Sequence, residues 1–140
     1  MYISEHILDL NNHFCRIFRK IASKENLTAE QVKLLLCIPY DGITMTELAK
    51  ILGIDISTLT RNSQKLSEKT FIIRKNDSYD KRKINVYLTE TGINISEKLE
   101  NKMDEDSNQF LEMYTVEERE IMESTIEKLN WTLTCVRDNE

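Results

Sequence analysis

Residues 44–69 read TMTELAKILGIDISTLTRNSQKLSEK, and this stretch decides the fold. Thr44 stands three residues before Glu47, the spacing of a capping box that opens a helix. That helix, Met45 to Leu52, carries Leu48, Ala49 and Leu52 for its buried side. Gly53 follows, where a positive φ is cheap. Asp55 then caps a second helix, roughly Ile56 to Lys69, with Ile56, Leu59 and Leu66 as apolar anchors. Two short helices joined by a tight turn containing glycine predict a helix-turn-helix.

After Lys69 the period changes. Phe71 to Lys75 and Lys83 to Leu88 are β-rich runs, and the polar stretch from Asn76 to Arg82 between them is turn-forming. The expectation is a β-hairpin with a charged tip. Thr89 then caps a long helix that begins near Glu90 and carries Ile95, Leu99 and Met103 towards Phe110. A helix-turn-helix followed directly by a hairpin is a winged helix.

Upstream, Ile3, Ile7, Leu10, Phe14, Ile17 and Ile21 recur at spacings of four and three, one stripe of a helix that ends near Lys24 to Asn26. Thr28 and Gln31 form a capping box for a second helix bearing Val32, Leu35, Leu36 and Ile38, which stops at Pro39 before an Asp41-Gly42 turn. Downstream, Thr115 caps a last helix, with Glu118 at the capping-box position. Met122, Ile126, Leu129, Leu133 and Val136 repeat the seam. The fold class expected is mainly α with a small β-hairpin wing. Residues 1–140 form a single unit, with the winged helix-turn-helix at 28–92. The segments 1–26 and 93–140 make a helical dimerisation region, because a regular seam at both ends exceeds what a small winged helix needs for its own core.

Composition narrows the function. The 140 residues contain only 3 Gly and 1 Pro, too few turns for a sandwich or barrel. No apolar run approaches the roughly 20 residues of a bilayer span. Met1 to Leu10 lacks the basic start and apolar stretch of a secretory signal, so a cytoplasmic protein is expected. Cys15, Cys37 and Cys135 are widely spaced, and with only His6 and His13 beside them neither a metal site nor a disulfide framework is expected. No nucleophile–base pair, glycine-rich phosphate loop or cofactor motif argues for an enzyme.

The net charge of −5 argues against nucleic acid, but its distribution does not. Thr44 to Leu88 holds nine basic residues against five acidic, a net of +4, whereas the chain from Asn101 onward has a net of −7. A basic middle with an acidic end is the asymmetry of a chain that presents one surface to a polyanion.

On the second helix of the pair, Ser57, Thr60, Arg61 and Gln64 fall along one exposed face, with Thr58 and Lys65 beside it. Hydroxyl and amide groups can read base edges, and Arg61 can pair with guanine in the major groove. The helix N-terminus offers N–H groups to phosphate. The hairpin adds Arg74 and the run Lys81-Arg82-Lys83, with Arg82 suited to a narrow minor groove and Asp80 able to hold it by a salt bridge. A solvated polar helix face or a charged solubilising loop would each explain one cluster. The two together favour double-stranded DNA.

These residues resemble the MarR (multiple antibiotic resistance regulator) family. The resemblance rests on Thr60-Arg61, on Asp80-Lys81-Arg82, on Leu88-Thr89-Glu90-Thr91-Gly92 and on Leu27-Thr28-Ala29-Glu30-Gln31, and it spans essentially the whole chain. It implies a homodimer whose first and last helices interlock, with the helix at 57–65 in the major groove. It further implies that Arg82 enters the minor groove, oriented by Asp80. The family usually has glycine where this chain has Thr70, and apolar residues at Asn62 and Ser63. Some members sense oxidants through a first-helix cysteine, which makes Cys15 a redox candidate, although the burial habit of cysteine favours a structural thiol. Cys37 reads as core. The family also often binds small phenolic or lipophilic effectors, and no residue here identifies one.

The function expected is a sequence-specific, DNA-binding transcriptional regulator, a repressor as is commoner in the family. It would act as a homodimer on a pseudo-palindromic operator and be relieved by a small ligand. The rival is a winged helix used for protein interaction without an operator, which the acidic overall charge would suit.

Overall fold

The computed structural model describes residues 2–140. They form α1 (Ile3–Lys24), α2 (Ala29–Leu36), β1 (Ile43–Thr44), α3 (Met45–Leu52), α4 (Ile56–Glu68), β2 (Ile72–Asn76), β3 (Ile84–Leu88), α5 (Glu90–Leu111) and α6 (Val116–Asp138). The chain divides into two compact units, the first running to Glu100 and the second from Asn101 to Glu140. Among the described residues no helix is long and apolar enough to cross a membrane.

In the first unit the helix starts follow their capping residues. The Thr28 hydroxyl accepts from the Gln31 N–H at 3.1 Å, and the Gln31 side chain accepts from the Thr28 N–H at 3.0 Å. Thr44 accepts from the Glu47 N–H at 3.1 Å, but the return bond of the expected box is not made among the described residues. The core is built by Val32, Leu34 and Leu35 of α2, Leu48 of α3, Leu59 and Leu66 of α4, Ile72 and Val86 of the sheet and Leu99 of α5. Two expected apolar anchors lie differently. Ile56 is 47% exposed at the first turn of α4, and Leu52 is only half-buried. Cys37, expected in the core, is half-buried as well, and desolvation there raises its thiol pKa.

The wing is a three-stranded antiparallel sheet in the order β1-β3-β2. The hairpin pairs Ile72 with Leu88, Arg74 with Val86 and Asn76 with Ile84. The two-residue β1 pairs Ile43 with Val86, so the Asp41-Gly42 turn delivers an edge strand that the sequence pattern does not announce. Two residues are too short to show alternation.

Three helices end in the same left-handed corner. After α1, Asn26 (φ 55°) donates its N–H to the Ser23 carbonyl and Leu27 donates to Ala22. After α3, Gly53 (φ 66°) and Ile54 make the equivalent bonds to Lys50 and Ala49. After α4, Thr70 (φ 66°) and Phe71 make them to Ser67 and Leu66. Each is a Schellman stop, which favours glycine because a Cβ in that region is strained. Only one of the three is glycine.

In the second unit, the end of α5 carries Lys102 paired with Asp106 at 3.2 Å, one turn on. Thr115 caps α6 through the Glu118 N–H at 3.2 Å. No residue of α6 is buried, and Ile126, Leu129, Trp131, Leu133 and Val136 are all exposed.

Candidate nucleic-acid interface

The interface begins at the cap of α4. One carboxylate oxygen of Asp55 accepts from the Thr58 N–H at 2.7 Å, and the Ser57 hydroxyl donates to the same oxygen. The Thr58 hydroxyl donates to the other oxygen at 3.1 Å. These bonds to the ionised form, with the Arg61 charge nearby, lower the Asp55 pKa to about 2. The helix N-terminus expected to receive phosphate therefore already holds an anion.

That cap changes what the helix face offers. Ser57 and Thr58 have committed their hydroxyl protons to Asp55, and the Thr60 hydroxyl donates to the Ile56 carbonyl at 2.7 Å. What these hydroxyls still offer is lone pairs, so they can act only as acceptors, matched to a donor such as an adenine or cytosine amino group. Arg61 donates to the Thr58 hydroxyl at 3.4 Å, a long contact that leaves most of its donors free. Gln64 and Lys65 are exposed. Ser63, where the family is usually apolar, is fully buried and satisfied by donating to the Thr60 carbonyl at 3.0 Å.

The joint between α4 and the wing explains the Leu88-Thr89-Glu90-Thr91-Gly92 motif. The hydroxyls of Thr89 and Thr91 both donate to the Thr70 carbonyl, the latter at 2.8 Å. Thr89 also caps α5 by accepting from the Gly92 N–H at 3.0 Å, and its own N–H donates to the Phe71 carbonyl at 3.0 Å. A Cβ on Gly92 would fall inside contact distance of the Phe71 carbonyl oxygen and 2.9 Å from its carbon. The motif is thus a clamp on the strained Thr70 corner. Behind the corner, Lys69 donates to the Asn26 carbonyl, and Glu25 pairs with Lys98 of α5 at 2.8 Å. Sequence reasoning missed both ties because their partners are distant in the chain.

The wing tip is braced. The Asp77 N–H donates to the Lys83 carbonyl at 2.9 Å and the Lys83 N–H to the Asp80 carbonyl at 3.0 Å. Asp80 accepts from the Arg82 N–H at 3.0 Å and from its guanidinium at 3.4 Å. Arg82 stays 92% exposed despite that bridge. Lys81 and Lys83 flank it, also exposed. Arg74 lies exposed in the body of β2, opposite Val86, and not at the tip. Cys15 is half-buried on α1, with its thiol 3.9 Å from the Asn11 side-chain oxygen.

A cavity of about 240 Å³ sits under the α2–β1 connection, lined by Leu35, Leu36, Ile38, Leu88, Ser96 and Glu100 among others. The Ser96 hydroxyl is buried and has no hydrogen-bond partner among the described residues.

A helix-turn-helix whose second helix is capped, followed by a clamped hairpin with an exposed arginine, defines a winged helix-turn-helix protein. The MarR family profile matches residues 27–84. The multiple antibiotic resistance protein MarR of Salmonella typhimurium is 34% identical over 116 residues, covering 81% of each chain. Its Escherichia coli K12 counterpart is also 34% identical, over 97 residues, covering 69% of this chain and 67% of that one. The crystal structure of wild-type E. coli MarR superposes with a TM-score of 0.81 at 28% identity, covering 92% and 96% of the two chains. A Staphylococcus aureus MepR–DNA complex shares the fold, with a TM-score of 0.77 at 24% identity over 95% and 99%. The chain belongs to the MarR family of transcriptional regulators, and is not an enzyme.

Proposed function

We propose that the protein is a homodimeric repressor that binds a pseudo-palindromic operator and releases it on binding a small ligand. The observation that carries the reading is the wing tip, where Asp80 orients Arg82 without covering it. An arginine held in one direction at the end of a braced hairpin suits a minor groove. The α4 face that carries half-buried Thr60 and exposed Arg61 and Gln64 supplies base contacts, and Lys65, Arg74, Lys81 and Lys83 supply phosphate contacts. Residues 28–92 act as the DNA-binding lobe. The segments 1–26 and 93–140 act as the dimerisation region.

The dimer is supported by apolar surface on both terminal helices. The α1 stripe is exposed from Ile3 to Phe14 and buried only at Ile21, and α6 buries none of its seam. Two-fold pairing would place two reading helices about 34 Å apart, one turn of DNA. The cavity beside Ser96 supports the ligand arm, since its wall is mostly apolar with Glu100 as a charged group at its edge.

Selection of duplexes from a random library at about 0.1 M salt tests this, paired with sedimentation of the free protein. The expected result is a dimer that recovers an inverted repeat with half-sites one turn apart. A folded dimer that enriches no consensus, reduced and free of effector, would overturn the operator reading and favour the protein-interaction reading, and a monomer would remove the dimer.

A further inference from the structure

The wing carries two tyrosines with opposite fates. Tyr87 on β3 packs its ring over Gly42, and the Lys75 ammonium sits 5.9 Å from its centroid. Tyr79 is 97% exposed, more than any other large apolar or aromatic side chain among the described residues. It stands three positions before Arg82, inside the tip closed by the Asp77–Lys83 and Lys83–Asp80 backbone bonds. Those bonds close the tip around a ring that packs on almost no protein surface. An aromatic ring this exposed buries almost no apolar surface and so adds little to the fold. Contact with a ligand at the tip is what would bury it.

We infer that Tyr79 is a second minor-groove reader, acting beside Arg82 on A·T pairs that flank each half-site. This rests on the DNA-binding reading above. A flat ring with two side-chain torsions enters a groove about 6 Å wide at low entropic cost. Its phenolic O–H is a donor, and the A·T minor groove presents only acceptors, adenine N3 and thymine O2. A G·C pair puts the guanine 2-amino group on the groove floor in front of those acceptors; the phenol oxygen can accept from it, but at less depth in the groove and without the donor bond. The phenol therefore favours A·T, where the guanidinium alone answers mainly to groove width and potential.

The test uses the full chain and a duplex bearing the selected half-sites, with the flanking pairs set to A·T, G·C or inosine·C. Inosine lacks the 2-amino group, so I·C resembles A·T in the minor groove and G·C in the major groove. The wild type is expected to bind the G·C duplex about tenfold more weakly than the A·T duplex and to recover on I·C. Tyr79→Phe is expected to lose about fivefold on A·T and most of the distinction between G·C and I·C. Arg82→Lys should keep that distinction. Tyr79→Phe binding all three duplexes as the wild type does would overturn the inference and leave the operator reading intact. An equal loss on all three would overturn it too, because a phosphate or sugar contact does not sense the 2-amino group. Failure of the wild type to bind any duplex removes both readings together.

Discussion

The base and the tip of the wing are separated by one short hairpin and obey opposite rules. At the base, the Thr70 carbonyl accepts two hydroxyls, Thr89 caps a helix, and Gly92 lets the Phe71 backbone come close. The Thr70 and Phe71 carbonyls and the Thr89 and Thr91 hydroxyls are all answered from within the chain. At the tip, Arg82 and Tyr79 face water, and only the backbone and Asp80 hold the loop in shape. The difference separates residues that place the wing from residues that would use it. Substitutions at the base should register in stability, and substitutions at the tip in affinity.

The largest effect is expected at Gly92. Alanine there would force the Phe71 carbonyl away, and with it the bonds to Thr70 and Thr89. Gly92→Ala should cost about 3 kcal/mol of unfolding free energy in a urea titration. A loss under about 1 kcal/mol would show that the base is soft and would break the comparison.

At the tip the expectation inverts. Arg82→Ala should weaken operator binding by about 1–3 kcal/mol while leaving the urea midpoint unchanged. Its bridge to Asp80 is long and largely solvated, and such pairs add little to stability. A shifted midpoint would mean that the tip carries structure after all.

A smaller effect of opposite sign is expected at Thr70. Its φ of 66° is the left-handed value at which a β-branched side chain is strained. Thr70→Gly keeps the carbonyl that Thr89 and Thr91 hold, and should stabilise the fold by about 1 kcal/mol in the same titration. A neutral or destabilising result would show that the clamp depends on the threonine side chain.

The tip was more legible in the sequence than the base. Charge and turn residues are local, so Asp80, Lys81, Arg82 and Lys83 could be read directly, and the capping residues Thr28, Thr44, Asp55 and Thr115 likewise. Gly53 announced its own corner. Thr70 showed only as a departure from the glycine usual in the family, and why glycine belongs there is visible only in the backbone angle. The Lys69–Asn26 tie, the pairing of β1 with β3 and the exposure of Ile56 depend on contacts between segments that no local pattern encodes. Tyr79 carried a weak signal, an aromatic residue in an otherwise polar turn.

The smallest effect concerns Asp55, at the opposite end of α4 from the clamp, where placement and use meet in one residue. Its carboxylate orders Ser57 and Thr58 on the candidate reading face, and it is ionised with a pKa lowered to about 2. A group whose folded pKa lies below its unfolded value near 4 stabilises the fold fully above that value. The contribution fades as pH falls from about 4 towards 2. Asparagine caps about as well but does not titrate. The stability advantage of the wild type over Asp55→Asn should therefore be constant from pH 7 to about 5 and shrink below about 4, measured by thermal unfolding across that range. An advantage that persists unchanged at about pH 2.5 would show that the hydrogen-bond geometry at the cap, and not its charge, holds the start of α4.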